Sequence, residues 1–156
     1  MNRRRRRTMA CLAVAGPLLA VAAGYWYVTA PRYEVPMPPA NASPQQVAVA
    51  YMRALDGHDS STAYALSTPN QRSETQIWLS ETAGLTHPTT SAPVALTAMT
   101  EPDIPHGTET VTVAVTFDYR QNWWSGDPSL SNGEMAWGYV LVHEHGRWLV
   151  DDCGMG

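Results

Sequence analysis

Apolar positions follow three successive patterns along this chain, and each predicts a different element. Residues Ala10 to Val28 form an apolar run of 19 residues with no charge. As a helix rising about 1.5 Å per residue, this run spans about 28 Å, close to the thickness of a bilayer core. Between residues 44 and 84 the apolar positions recur at helical spacing. From residue 110 onward they alternate, as on a strand with one buried face.

The helical stretch has clear punctuation. Ser43 is the expected N-cap of a first helix, Pro44 takes its first position, and Gln46 completes a capping box. Val47, Tyr51, Ala54 and Leu55 share one apolar face, and Gly57 ends the helix. Asp59 caps a second short helix carrying Ala63, Tyr64 and Leu66, which Pro69 stops. Ser73 with Gln76 repeats the capping box before Ile77, Trp78 and Leu79, and Gly84 closes this third helix.

The strands follow. Val94 to Met99 reads as one. Thr110 to Tyr119 alternates, with Val111, Val113, Val115, Phe117 and Tyr119 on one face and Thr112, Thr116 and Asp118 on the other. Gln121 to Gly133 holds Trp123, Trp124, Gly126 and Pro128 and reads as a long exposed loop. Glu134 to Glu144 is a further strand, His145-Gly146 a two-residue turn, and Arg147 to Asp152 the returning strand. Helices first and antiparallel strands after predict an α+β fold, three N-terminal helices packed on one sheet face. One transmembrane helix precedes it. Residues 44–156 are enough for one modest core.

Charge orients the leader. Arg3 to Arg7 are consecutive arginines, and the first acidic residue is Glu34. Basic residues before an apolar span keep the N-terminus in the cytoplasm. The expected organisation is a cytoplasmic basic tail (1–9), a transmembrane anchor or signal peptide (10–30), a Pro-rich spacer (31–43) and an extracytoplasmic domain (44–156). Tyr25-Trp26-Tyr27 suits the outer interface of a retained single-pass anchor in a cell membrane. The rival is a cleaved signal peptide ending at Val28-Thr29-Ala30, which Pro31 disfavours. The arginines fit a twin-arginine export signal poorly, and Cys11 opens the apolar run instead of ending it, which argues against a lipoprotein. The spacer carries Pro31, Pro36, Pro38 and Pro39 and is expected to extend about 40 Å, holding the domain off the headgroups.

Residues 31–156 carry a formal net charge of −9, which repels phosphates and argues against nucleic acid as a partner. Lysine is absent, which excludes a lysine nucleophile or Schiff base. Cys153 is the one thiol beyond the membrane run, so the domain forms no internal disulfide. Cys153 is either a buried small hydrophobe or a partner in an intermolecular pair.

Two segments carry a family resemblance. Pro44-Gln45-Gln46-Val47-Ala48-Val49-Ala50-Tyr51-Met52-Arg53-Ala54-Leu55-Asp56-Gly57-His58-Asp59 resembles the opening helix of the nuclear transport factor 2-like superfamily. Gly146-Arg147-Trp148-Leu149-Val150-Asp151-Asp152 is similar to its closing strand. The resemblance covers residues 44–156 and implies a cone of three helices over a curved antiparallel sheet. A membrane anchor before such a domain also resembles envelope proteins of actinobacteria and the bitopic inner-membrane subunit of type IV secretion systems. The superfamily includes isomerases and dehydratases with an Asp or His in the cone. Asp118 and Asp152 are the carboxylates on offer here, and Asp118 alternates away from its strand's apolar face.

The two-residue turn pairs Glu144 with Arg147, His143 with Trp148, Leu141 with Val150 and Tyr139 with Asp152. One hairpin face then carries Tyr139, His143, Trp148 and Asp152. These are the candidate mouth of a cavity, with Tyr139 and Asp152 sharing a hydrogen bond. The plainer reading is an aromatic core with polar ends. His143 stands about 13 Å along the strand from Tyr139, so it forms no dyad with Asp152. His143 and His145 suggest a metal pair but no third ligand follows. His58, His87 and His106 read as solvated loop residues. No metal, cofactor or catalytic set is assigned, because no nucleophile elbow, zinc motif, phosphate loop or dinucleotide fingerprint is present. Trp123 and Trp124 are the candidate partner surface, since exposed Trp is a common interface anchor. The sequence therefore supports a non-catalytic, membrane-tethered docking or assembly protein of the bacterial cell envelope. Its partners would be the membrane through the anchor, envelope proteins or a second copy. The alternative is a small-molecule-binding or isomerase/dehydratase-like cone domain.

Overall fold

The computed structural model describes residues 30–96, 108–122 and 130–154. The apolar run Ala10–Val28, the loop tryptophans Trp123 and Trp124, and His106 lie outside the described residues. Among those described, no helix is long and apolar enough to cross a membrane.

Helix α1 spans Pro44–Asp56 and begins as its sequence dictates. The Gln46 amide donates to Ser43 Oγ (3.3 Å), and the Ser43 amide donates to Gln46 Oε1 (2.8 Å). Its buried face is Val47, Ala48, Tyr51, Met52, Ala54 and Leu55. Helix α2 spans Ser60–Ala65, with Asp59 Oδ1 accepting from the Thr62 amide at 3.1 Å. Helix α3 spans Arg72–Glu81. The capping box expected at Ser73 and Gln76 does not form, because the helix already starts at Arg72 and leaves Ser73 inside its first turn. Gln71 is the N-cap and contributes no side-chain cap.

Gly84 does not close α3. The chain passes directly from Glu81 into strand β1, Thr82–Thr90, where the sequence suggests the end of the helix at Gly84 and a loop at His87. Its residues lack alternation, and its pairing with the next long strand is interrupted twice, between Thr82 and Gly84 and between Thr86 and Thr89. His87 sits there at φ 54°. Strands β2 (Val94–Leu96), β3 (Thr110–Gln121), β4 (Gly133–Glu144) and β5 (Arg147–Gly154) complete an antiparallel sheet. Its order is β1-β3-β4-β5, with β2 also paired to β3. The fold is α+β, with three helices followed by five strands among the described residues. The core lies between α1 and one sheet face, where Val113, Val115, Phe117, Tyr139, Leu141 and Val150 are buried.

The β4–β5 hairpin turns through His145 (φ 51°) and Gly146 (φ 77°), a pair of left-handed residues that suits a type I′ turn. Glu144, His143 and Leu141 meet Arg147, Trp148 and Val150 as expected. Beyond that point the register slips, Asp151 has no opposite partner, and the strand bulges. Tyr139 therefore pairs with Cys153, and Asp152 with Val140.

Residues 31–43 are extended, as their prolines require, but they lie along the domain and do not stand off from it. The Arg32 amide donates to Gly57 O (2.7 Å), the Val35 amide to Asp59 Oδ2 (2.9 Å), and Thr62 Oγ1 to Val35 O (3.1 Å). Val35 and Ala42 are buried in the common core. At Gly57 a Cβ would sit 2.9 Å from Tyr33 O, so only glycine lets this strap cross. Pro31–Gly156 accordingly forms one compact unit.

Candidate functional site

The interior between helices and sheet is occupied by rings. Tyr51 of α1 meets Tyr139 of β4 edge-on at 5.9 Å. Trp78 of α3 meets Tyr119 at 5.9 Å and Trp137 at 5.3 Å, both edge-on. A short polar chain satisfies the buried phenol of Tyr51. Tyr51 OH lies 2.9 Å from Thr75 Oγ1, which donates to Gln71 O (2.9 Å) and lies 3.2 Å from Ser67 Oγ. Gln71 Nε2 in turn donates to Cys153 Sγ at 3.1 Å. Burial pushes the phenols of Tyr51 and Tyr139 well above their usual range, so both stay protonated at neutral pH. Burial likewise pushes the half-buried Cys153 thiol up to about 11, which keeps it a thiol and a poor nucleophile.

The four residues read from the sequence as a cavity mouth are dispersed. Tyr139 is a core residue, 1% exposed. Trp148 is half-buried at the margin of the core. His143 is exposed, stacks at a tilt on Trp148 (5.0 Å), and lies 3.8 Å from Glu109 Oε2. The bulge at Asp151 turns Asp152 to the opposite face, where it is exposed and accepts from the Cys153 amide at 2.8 Å. The expected Tyr139–Asp152 hydrogen bond therefore does not form, and the four do not converge on one space.

The histidines also differ from expectation. His58 is buried, with Nε2 3.1 Å from Thr82 O. His87 lies in β1, with Nδ1 2.9 Å from Asp118 Oδ2 on the exposed sheet face. Among the described residues no group of three His, Cys, Asp or Glu side chains is placed to hold a metal ion.

The strap builds a different feature, one absent from the sequence reading. Asp56, the last residue of α1, and Asp59, the N-cap of α2, hold it to the domain. Tyr33 OH donates to Asp56 Oδ2 (2.5 Å), whose Oδ1 accepts from the Leu85 amide of β1 (2.8 Å). Arg32 Nη1 donates to Asp56 O (3.0 Å) and Ala83 O (2.8 Å). Burial raises the Asp59 carboxyl, but hydrogen bonds from the Val35, Thr62 and Ser61 amides outweigh it and hold the group below its usual value. Tyr33 is pushed up by partial burial and by its bond to Asp56. Above these contacts runs an open groove of about 540 Å³. Glu34, Val35 and Pro36 form its strap wall, and Val49, Ala50 and Arg53 its helix wall. Val35 and Ala42, two apolar residues inside a Pro-rich stretch, are the signal in the sequence that this segment packs onto the domain.

No protein-family model matches the chain, and a search of curated proteins finds no match.

Proposed function

We propose that this chain is a membrane-tethered, extracytoplasmic docking or assembly protein of the bacterial cell envelope, non-catalytic, with a nuclear transport factor 2-like domain held outside a single-pass anchor. The observation that carries this reading is the filled interior. Tyr51 packs edge-on against Tyr139, and Trp78 against Trp137, in the interior between helices and sheet, while the open groove lies outside, between the strap and α1. The arginine-led apolar run supports the tether and its direction. The opposing small-molecule or isomerase-like reading needs an interior that empties, and the edge-on ring contacts argue against that.

The test is a photo-crosslinking residue at Val49 in the full chain, expressed in intact cells. A protein adduct is expected, and protease added to protoplasts is expected to remove the domain beyond residue 31. Absence of any protein adduct from Val49, or full protection of the domain from protease, overturns the reading.

A further inference from the structure

We infer that the groove between the strap and α1 is a self-complementary interface that takes a second copy of this chain. The inference rests on the docking reading above and names its partner. The first observation is charge. Residues 31–156 carry a net charge of −9, so two copies repel over most of their surfaces. This groove is lined by an anion, Glu34, and a cation, Arg53. Among the described residues neither side chain has an ion-pair or hydrogen-bond partner. The two other arginines close to this corner are engaged. Arg32 binds the carbonyls of Asp56 and Ala83, and Arg120 Nη2 reaches Ala83 O at 3.5 Å. A two-fold axis through the groove brings Arg53 of each copy to Glu34 of the other, which satisfies both charges twice with one geometry.

The second observation is exposed apolar surface. Tyr33 and Met37 are exposed by 44% and 41%, and both belong to the strap that forms one wall. The apolar lining of the groove is Val35 and Pro36 from the strap with Val49 and Ala50 from α1. Apolar anchors flanked by paired charges are the composition of an interface centre and its rim. The expected anchor holds the copies in the plane of the membrane. Confinement to that plane raises their effective concentration.

The test is charge reversal in the full chain in detergent micelles, with sedimentation velocity at low ionic strength as the readout. Wild type is expected to dimerise. Arg53→Glu and Glu34→Arg are each expected to weaken dimerisation at least about tenfold, as loss of a complementary pair does. Glu34→Arg with Arg53→Glu is expected to recover it to within about threefold, because the swapped charges pair again. Both positions are exposed, and circular dichroism checks that each variant keeps the fold. A monomeric wild type, a dimer indifferent to both reversals, or a double variant that fails to recover overturns the inference. The mass of the Val49 adduct separates the two proposals. An adduct of twice the chain mass supports the inference. An adduct with a different protein overturns it and leaves the docking reading standing. No protein adduct overturns both.

Discussion

Tyr139 and Trp148 belong to the two strands of one hairpin, yet they meet different surroundings. Tyr139 is enclosed by Tyr51 and the sheet core, whereas Trp148 keeps one side in solvent beneath His143. Tyr139→Ala is expected to cost about 3–5 kcal/mol, the range for a buried aromatic with a poorly collapsing cavity. Trp148→Ala removes a half-buried ring and is expected to cost about half as much. Denaturant unfolding of the two variants checks the order. Equal losses would mean that Trp148 is as enclosed as Tyr139. Asp59 gives a pH dependence of definite sign. Its folded carboxyl lies below the ordinary 3.8, so between those values the unfolded chain binds more protons. Its contribution is complete above about pH 4 and is lost as pH falls through the lowered value. Asp59→Asn is therefore expected to destabilise the protein at pH 7 and to differ less from wild type near pH 2.5. A gap of the same size at both pH values would show that Asp59 does not act as a carboxylate.

Among the elements, the β4–β5 hairpin decides which side chains share a face. His145 and Gly146 both take positive φ, so the turn twists with its strands and fixes the register at Glu144–Arg147. Gly146→Ala is expected to cost about 1 kcal/mol, since an L-residue with a Cβ pays that much for the left-handed region. A thermal melt measures it, and an unchanged melting temperature would mean that the turn relaxes to another type. The bulge at Asp151 has the larger consequence. One extra residue exchanges Asp152 for Cys153 on the core face. The outer edge of β5 is partly covered, because the Thr68 amide donates to Val150 O and the Val150 amide to Leu66 O, each at 2.8 Å.

For the whole molecule, the strap enlarges the folded unit to residue 31. It adds a buried Val35 and hydrogen bonds to Gly57, Asp56, Asp59 and Thr62. A chain beginning at residue 40 is expected to unfold cooperatively but to be about 2 kcal/mol less stable than one beginning at residue 31. That figure sets a buried valine and several hydrogen bonds against the entropy of ordering the segment. Urea unfolding of the two lengths measures the difference. Identical midpoints would show that the strap contributes nothing net to stability.

Local chemistry alone determined the helices α1 and α2, the alternation of β3 and the hairpin turn. Ser43, Gln46, Asp59 and Gly146 act through neighbours within a few residues, and such interactions are written in sequence order. The α+β class followed from helical spacing giving way to alternation. Only the tertiary structure decided β1, whose nonalternating residues become a strand because β3 offers them a ladder. It also decided the bulge that separates Tyr139 from Asp152, and the strap that brings Glu34 into one groove with Arg53. Each depends on partners far away in the chain. Their geometry is set by how the sheet twists and how the core closes, and no local spacing encodes either.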